Sequence, residues 1–169
     1  MSYMISQSLL PEFDMEMANT RKVLERVPDG QLAFRPHEKS FTLGRLAGHV
    51  AEMPMWGVMT LAKDELELRP TGPSYTAHVC ESKAETIGFF DEQLRQARAL
   101  LEAATDETMM RPWTLTDQGQ TIMVMPKVAV FRSFVMNHMI HHRGQLGVYL
   151  RLNDVPVPGL YGPSADELA

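Results

Sequence analysis

A chain of 169 residues and 19.1 kDa has room for one hydrophobic core of ordinary size, so the expectation is a single domain over residues 1–169. Hydrophobic residues make up 44% and charged residues 22%, which excludes disordered and collagen-like chains. A net charge of -5, with no Lys/Arg block, excludes the footprint of a nucleic-acid partner, and no apolar run approaches the ~18 residues of a membrane span.

The opening stretch "MSYMISQSLLPEFDMEM" has no basic segment followed by an apolar run, so a cytoplasmic protein is expected. Helical periodicity starts at about Gln7 and runs to Val27, with Leu10, Phe13, Met17, Leu24 and Val27 on one face. Pro28 and Gly30 stop it. A second helix starts after Ser40 or Thr42, either of which can cap it, and continues through "LGRLAGHVAEMPMWGVMTLAKDEL". Pro54 inside it predicts a kink near Met53 to Trp56.

The only cysteine, Cys80, excludes an intramolecular disulfide and reads as a packing residue. Ser82 and Glu85 have capping-box spacing and open a third helix that reaches about Ala104, with Ile87, Phe90, Leu94, Ala97 and Leu101 on one face. "WTLT" and "TIMVM" flank the turn signal "DQGQ" and predict a small β-hairpin, which crosses over to the last helix. That helix covers about Pro126 to Asn153; beyond it "DVPVPGLYGPSADELA" is too rich in Pro and Gly to be helical and must lie on something. The fold class is therefore all-α: an antiparallel four-helix bundle with a small β-hairpin crossover before the last helix.

The last helix carries "NHMIHHRGQLGVYL", with three of the six histidines inside five positions. At about 100° per residue, with His138 at 0°, the apolar positions Phe131, Phe134, Val135, Leu146, Tyr149 and Leu152 centre near about 20°. His142 falls near about 40° and Gln145 near about -20°, inside that stripe, while His141 falls near about -60° at its edge and Arg143 near about 140°, away from it. His138 and His142 are one turn apart, about 6 Å along the axis, where two imidazoles can share an ion. A tetrahedral site then needs a third ligand, and His37, His49 and His78 are the candidates. His49 is chosen, because it shares the inward face of the second helix with Leu46, Met53, Trp56 and Thr60, whereas His37 and His78 fall in loops. Three histidines satisfied within a core are the competing reading, since H-x-x-x-H on a helix is only moderately specific.

The segments "EFDMEMANTRKVLERVPDG", "RPHEKSFTLGRLAGHVAEMPMW" and "NHMIHHRGQLGVYLRLNDVPVPGLYGPSADE" resemble the DinB/YfiT-like metalloenzyme family across essentially the whole chain. The resemblance implies a four-helix bundle, usually dimeric, holding zinc or nickel on a histidine of the second helix and H-x-x-x-H of the fourth, which fall on His49, His138 and His142. It also implies transfer of a low-molecular-weight thiol to an electrophile, or thiol-dependent isomerisation.

Three neutral imidazoles leave a divalent ion with open positions, the pattern of a catalytic centre. Met53, Trp56, Phe134 and Tyr149 share the ligand-bearing faces and read either as pocket or as plain core. Glu52 and Gln145 are candidates to orient imidazole N–H groups. Two functional readings emerge: a metal-dependent enzyme acting on a small molecule, as a thiol S-transferase or a hydrolase, or a non-catalytic bundle stabilised by metal, in a stress-related or ligand-binding role. A stripe of Ala129, Ser133, Met136, Ile140 and Gly147 about 180° from His138 predicts a second subunit there, in a symmetric dimer.

Overall fold

The structure is a computed structural model and describes residues 4–72 and 76–168. Three long helices carry the first half to two thirds of the chain: α1 (Ile5–Leu24), α2 (Leu43–Ala62) and α3 (Lys83–Ala103). Thr42 caps α2 by accepting from the Arg45 N–H, and Ser82 caps α3 by accepting from the Glu85 N–H, each at 3.2 Å. α2 is helical without interruption through Pro54. It ends four residues earlier than the sequence pattern suggests, because Glu65–Glu67 form a strand, β1.

A short helix, α4 (Asp106–Met110), capped by Thr105, then leads into β2 (Pro112–Asp117) and β3 (Gln120–Pro126). β2 and β3 are antiparallel and turn through Gln118 and Gly119, both at positive φ. The expected hairpin is thus one part of a three-stranded sheet, with β1 parallel to β2 on its other side. Glu67 joins the two parts: its carboxylate accepts the Gln118 and Gly119 N–H groups at 2.8 and 3.0 Å. The chain is therefore mostly helical with a small sheet, and the all-α expectation is corrected in that respect.

The last helical run has three parts: α5 (Lys127–Val130), a π-helical turn (Phe131–Asn137) and α6 (His138–Leu152). α3 packs on α1 and α2, and α6 packs on the same two helices. Phe13, Met17, Leu46, Val50, Phe90, Leu101, Phe131 and Leu146 meet between them, each at most 1% exposed. Burying side chains of this size contributes about 1.5–3 kcal/mol apiece.

The π-helical turn shifts the phase of α6. Its i→i+5 bonding turns the chain less per residue than an α-helix does, so positions on either side do not share one 100° wheel. The buried residues of α6 are Met139, Arg143, Leu146, Tyr149 and Leu150, a set centred near about 90° from His138 rather than about 20°. Phe134 and Leu152, expected in the inward stripe, are exposed. His138 and His142 consequently stand at the border of the core, half-buried.

The tail lies on the bundle. Val155, Val157 and Leu160 pack against the core, the Leu160 carbonyl accepts from Asn19 at 3.1 Å, and Asp166 pairs with Arg151 at 2.6 Å. On the rear stripe of the last helix Met136 is buried within the chain, Gly147 faces Val157 of the tail, and Ser133 is exposed. Among the described residues no helix is long and apolar enough to cross a membrane.

Candidate metal centre

α2 and α6 bring the site together. His49 lies one turn before Met53 on α2, and His138 and His142 occupy the first and second turns of α6. One ring nitrogen from each of His49, His138 and His142 lies within 4.8 Å of the others, so the three are positioned to hold a metal ion. His138 Nε2 is 3.4 Å from His49 Nε2 and 2.8 Å from His142 Nε2.

The other side of each ring is already engaged. His49 Nδ1 is 2.9 Å from the Glu52 carboxylate, and His142 Nδ1 is 2.7 Å from the Gln145 carbonyl oxygen. The His138 ring bonds to the backbone carbonyl of Phe134, in the π-helical turn. Each acceptor claims a ring N–H, so the neutral tautomer it selects leaves a lone pair on Nε2. With all three rings in that tautomer, lone pairs face one another at 2.8 and 3.4 Å, and a cation between them would convert their repulsion into ligation. The donor set therefore fits a divalent metal with affinity for imidazole.

Burial lowers the His138 pKa, and electrostatic repulsion within the histidine cluster lowers it further. Burial likewise pushes His142 down to about 4, although the Gln145 bond works the other way. Both shifts favour the unprotonated form that a metal requires.

Glu52 is almost wholly buried and is the hub behind His49. It accepts from Arg45 at 3.3 and 3.4 Å and from the backbone N–H of His78. That last bond is available because the stretch of chain around His78 lies flat on α2. A Cβ on Gly48 would stand 2.3 Å from the His78 carbonyl oxygen, so only glycine permits the approach there, and one on Gly44 would be crowded at 3.0 Å from the Cys80 carbonyl oxygen.

Two hollows flank the histidines. On the His142 side, a groove of about 380 Å³ is lined by Lys39, Ser40, Phe41, Gln145 and Tyr149, among others. On the His138 side, a cavity of about 190 Å³ has walls of Trp56, Trp113, Leu115 and Phe134. Of the residues expected near the ligands, Glu52 and Gln145 thus touch the imidazoles, Trp56 and Phe134 line the cavity, and Tyr149 lines the groove. Met53 does none of these; it is fully buried in the core. His141 is exposed, and Arg143 turns away from the centre into a buried cluster with Glu16.

Arg45 and Trp113 were not singled out by the sequence. Arg45, His49 and Glu52 share one face at i, i+4 and i+7, a spacing that could have flagged the first of them. Nothing local points to Trp113, which reaches the site from the sheet.

The sequence matches the DinB family over residues 1–169. It is 28% identical over 162 residues to the uncharacterized protein YrdA of Bacillus subtilis (strain 168), covering 95% of this chain and 90% of that protein. The fold is similar to the crystal structure of a DinB-like protein from Bacillus cereus ATCC 10987, with a TM-score of 0.70, 23% identity and coverage of 95% and 100% of the two chains. It is also similar to the DinB-like protein YjoA of Bacillus subtilis, with a TM-score of 0.64, 18% identity and coverage of 88% and 96%.

Proposed function

We propose, for this chain, which belongs to the DinB family, that His49, His138 and His142 hold a zinc or nickel ion at the centre of a metal-dependent enzyme acting on a small molecule. The reaction is a thiol S-transfer or a hydrolysis. The observation that carries the reading is the convergence of three Nε2 atoms whose rings are each anchored from behind. When bound, the ion supplies Lewis acidity at neutral pH to an oxygen or sulfur that reaches it.

The chain's own groups account for the rest. Glu52 holds the proton on His49 Nδ1 and sets its negative charge behind the ligand, while Gln145 fixes the His142 ring. Trp56 and Phe134 keep water from the His138 side. Lys39 and Ser40 stand at the His142 side, where the polar end of a low-molecular-weight thiol would sit. The reading includes one domain built on an antiparallel four-helix bundle, a cytoplasmic location and a homodimer.

The test is turnover of a panel of electrophiles with added low-molecular-weight thiol, using metal-loaded and chelator-treated protein. Rates that do not respond to metal sink the enzyme reading. A non-catalytic, metal-stabilised bundle is the second reading, favoured by the position of the ligands on two helices, which an ion would tie together. Loss of metal-induced thermal stabilisation in His138→Ala, with no turnover in the parent protein, supports that alternative.

A further inference from the structure

The cavity beside His138 has a composition that defines what can enter it. Its walls come from three parts of the chain: Trp56 and Thr60 on α2, Trp113 and Leu115 on β2, and Phe134 on the π-helical turn. Among the described residues no charged side chain lines it, so an ion placed there would be stripped of water with nothing to replace it. The Thr60 hydroxyl is already committed, donating to the Trp56 carbonyl at 2.8 Å.

Trp113 is different. It is 3% exposed, and its indole N–H is buried without an acceptor among the described residues. A buried donor left in that state is costly and usually marks a missing partner. The size of the cavity, about 190 Å³, compares with the ~150 Å³ apolar cavity that admits benzene. A six-membered ring with one or two further heavy atoms fits; two fused rings do not.

We infer that this cavity seats a compact, uncharged, largely apolar molecule carrying one hydrogen-bond acceptor, which takes the Trp113 N–H and lies against His138. This rests on the reading of the histidines as the reactive centre in so far as it names that molecule as the substrate's reacting part; occupancy of the cavity is independent of it. In an S-transfer, the apolar partner would enter on the His138 side and the thiol on the His142 side.

The chain contains two tryptophans, and both are walls of this cavity. Its tryptophan emission therefore reports on the cavity alone. Chelator-treated full-length protein is titrated with cyclohexanone, cyclohexane and cyclohexanecarboxylate, followed by that emission and by calorimetry. Both neutral probes should bind and the carboxylate should not, because the Trp113 N–H offsets desolvation of the ketone oxygen and nothing offsets that of the charge. Trp113→Phe, shown to be folded by circular dichroism, should weaken cyclohexanone about fivefold, the yield of one neutral hydrogen bond, and leave the cyclohexane affinity within about twofold.

Absence of binding by either neutral probe, an unchanged cyclohexanone affinity in Trp113→Phe, or equal weakening of both probes by that substitution overturns the inference. Metal titration of the same samples separates the two claims. Ketone binding in a protein that takes up no metal leaves the cavity standing and removes the centre; metal binding without ketone binding does the reverse.

Discussion

His142 and Arg143 are neighbours on α6, yet they belong to two polar clusters of opposite character. Arg143 is 2% exposed and donates to the Glu16 carboxylate at 2.7 Å, to the Glu16 carbonyl at 2.9 Å and to Thr20 at 3.1 Å. Tyr161 closes that cluster from the tail, donating to Glu16 at 2.8 Å. Donors there meet acceptors and the charges cancel, so the chain completes the cluster by itself. Across the helix, three rings aim the same kind of atom at one another. A buried polar group is thus a sign of function when its partners are of the wrong kind, and of architecture when they are of the right kind.

The comparison breaks most visibly at Arg143. Arg143→Ala leaves a buried carboxylate unpaired, and urea denaturation should show a loss of about 3–5 kcal/mol. Metal affinity in the fraction that remains folded should change little. His138→Ala should do the opposite. It removes a repelling lone pair, so the metal-free protein should be nearly as stable as the parent, while metal at a hundred times its dissociation constant should no longer add the ~2.7 kcal/mol expected of a saturated site. A His138→Ala variant that still gains stability from metal would dissolve the distinction.

Glu52→Gln sharpens it further, because the ligand set is retained and only the anchoring charge is lost. Metal affinity measured by competition with a chelator should fall about 10–100-fold. The smallest effect belongs to the tail. Arg151, and then the Val157 N–H, hold the Asp166 carboxyl down at about 2 from a usual 3.8. Since the folded value is the lower one, its stabilisation is complete above about pH 4 and disappears as the pH falls toward about 2. Asp166→Asn should flatten the acid limb of the stability curve and leave the metal-dependent limb alone.

The grouping of His49, His138 and His142 is readable from the chain because its geometry is local: two turns of one helix, and one inward position on another. Glu52 and Gln145 are readable for the same reason, each standing three residues from the ring it holds. The burial of Arg143 is not, since an arginine near about 140° on the wheel looks solvated until Glu16 and Tyr161 are brought over it by α1 and the tail. The phase of α6 escapes a helical wheel because a π-helical turn leaves no mark in apolar spacing. The first two residues of β1, Glu65 and Leu66, fall within the helical pattern of the sequence; pairing with β2 overrides it.

The loop around His78, lying flat on Gly44 and Gly48, has a bearing on the centre beyond packing. Its backbone N–H and His49 Nδ1 bind the two oxygens of one carboxylate, so each partner finds Glu52 already aligned when the other is in place. Binding of an ion at the histidines would therefore be linked to docking of that loop, and whatever factor one contributed to the other would be returned in equal measure. An ion at the histidines should slow hydrogen exchange at His78, and a side chain at position 48 should weaken metal uptake without touching a ligand.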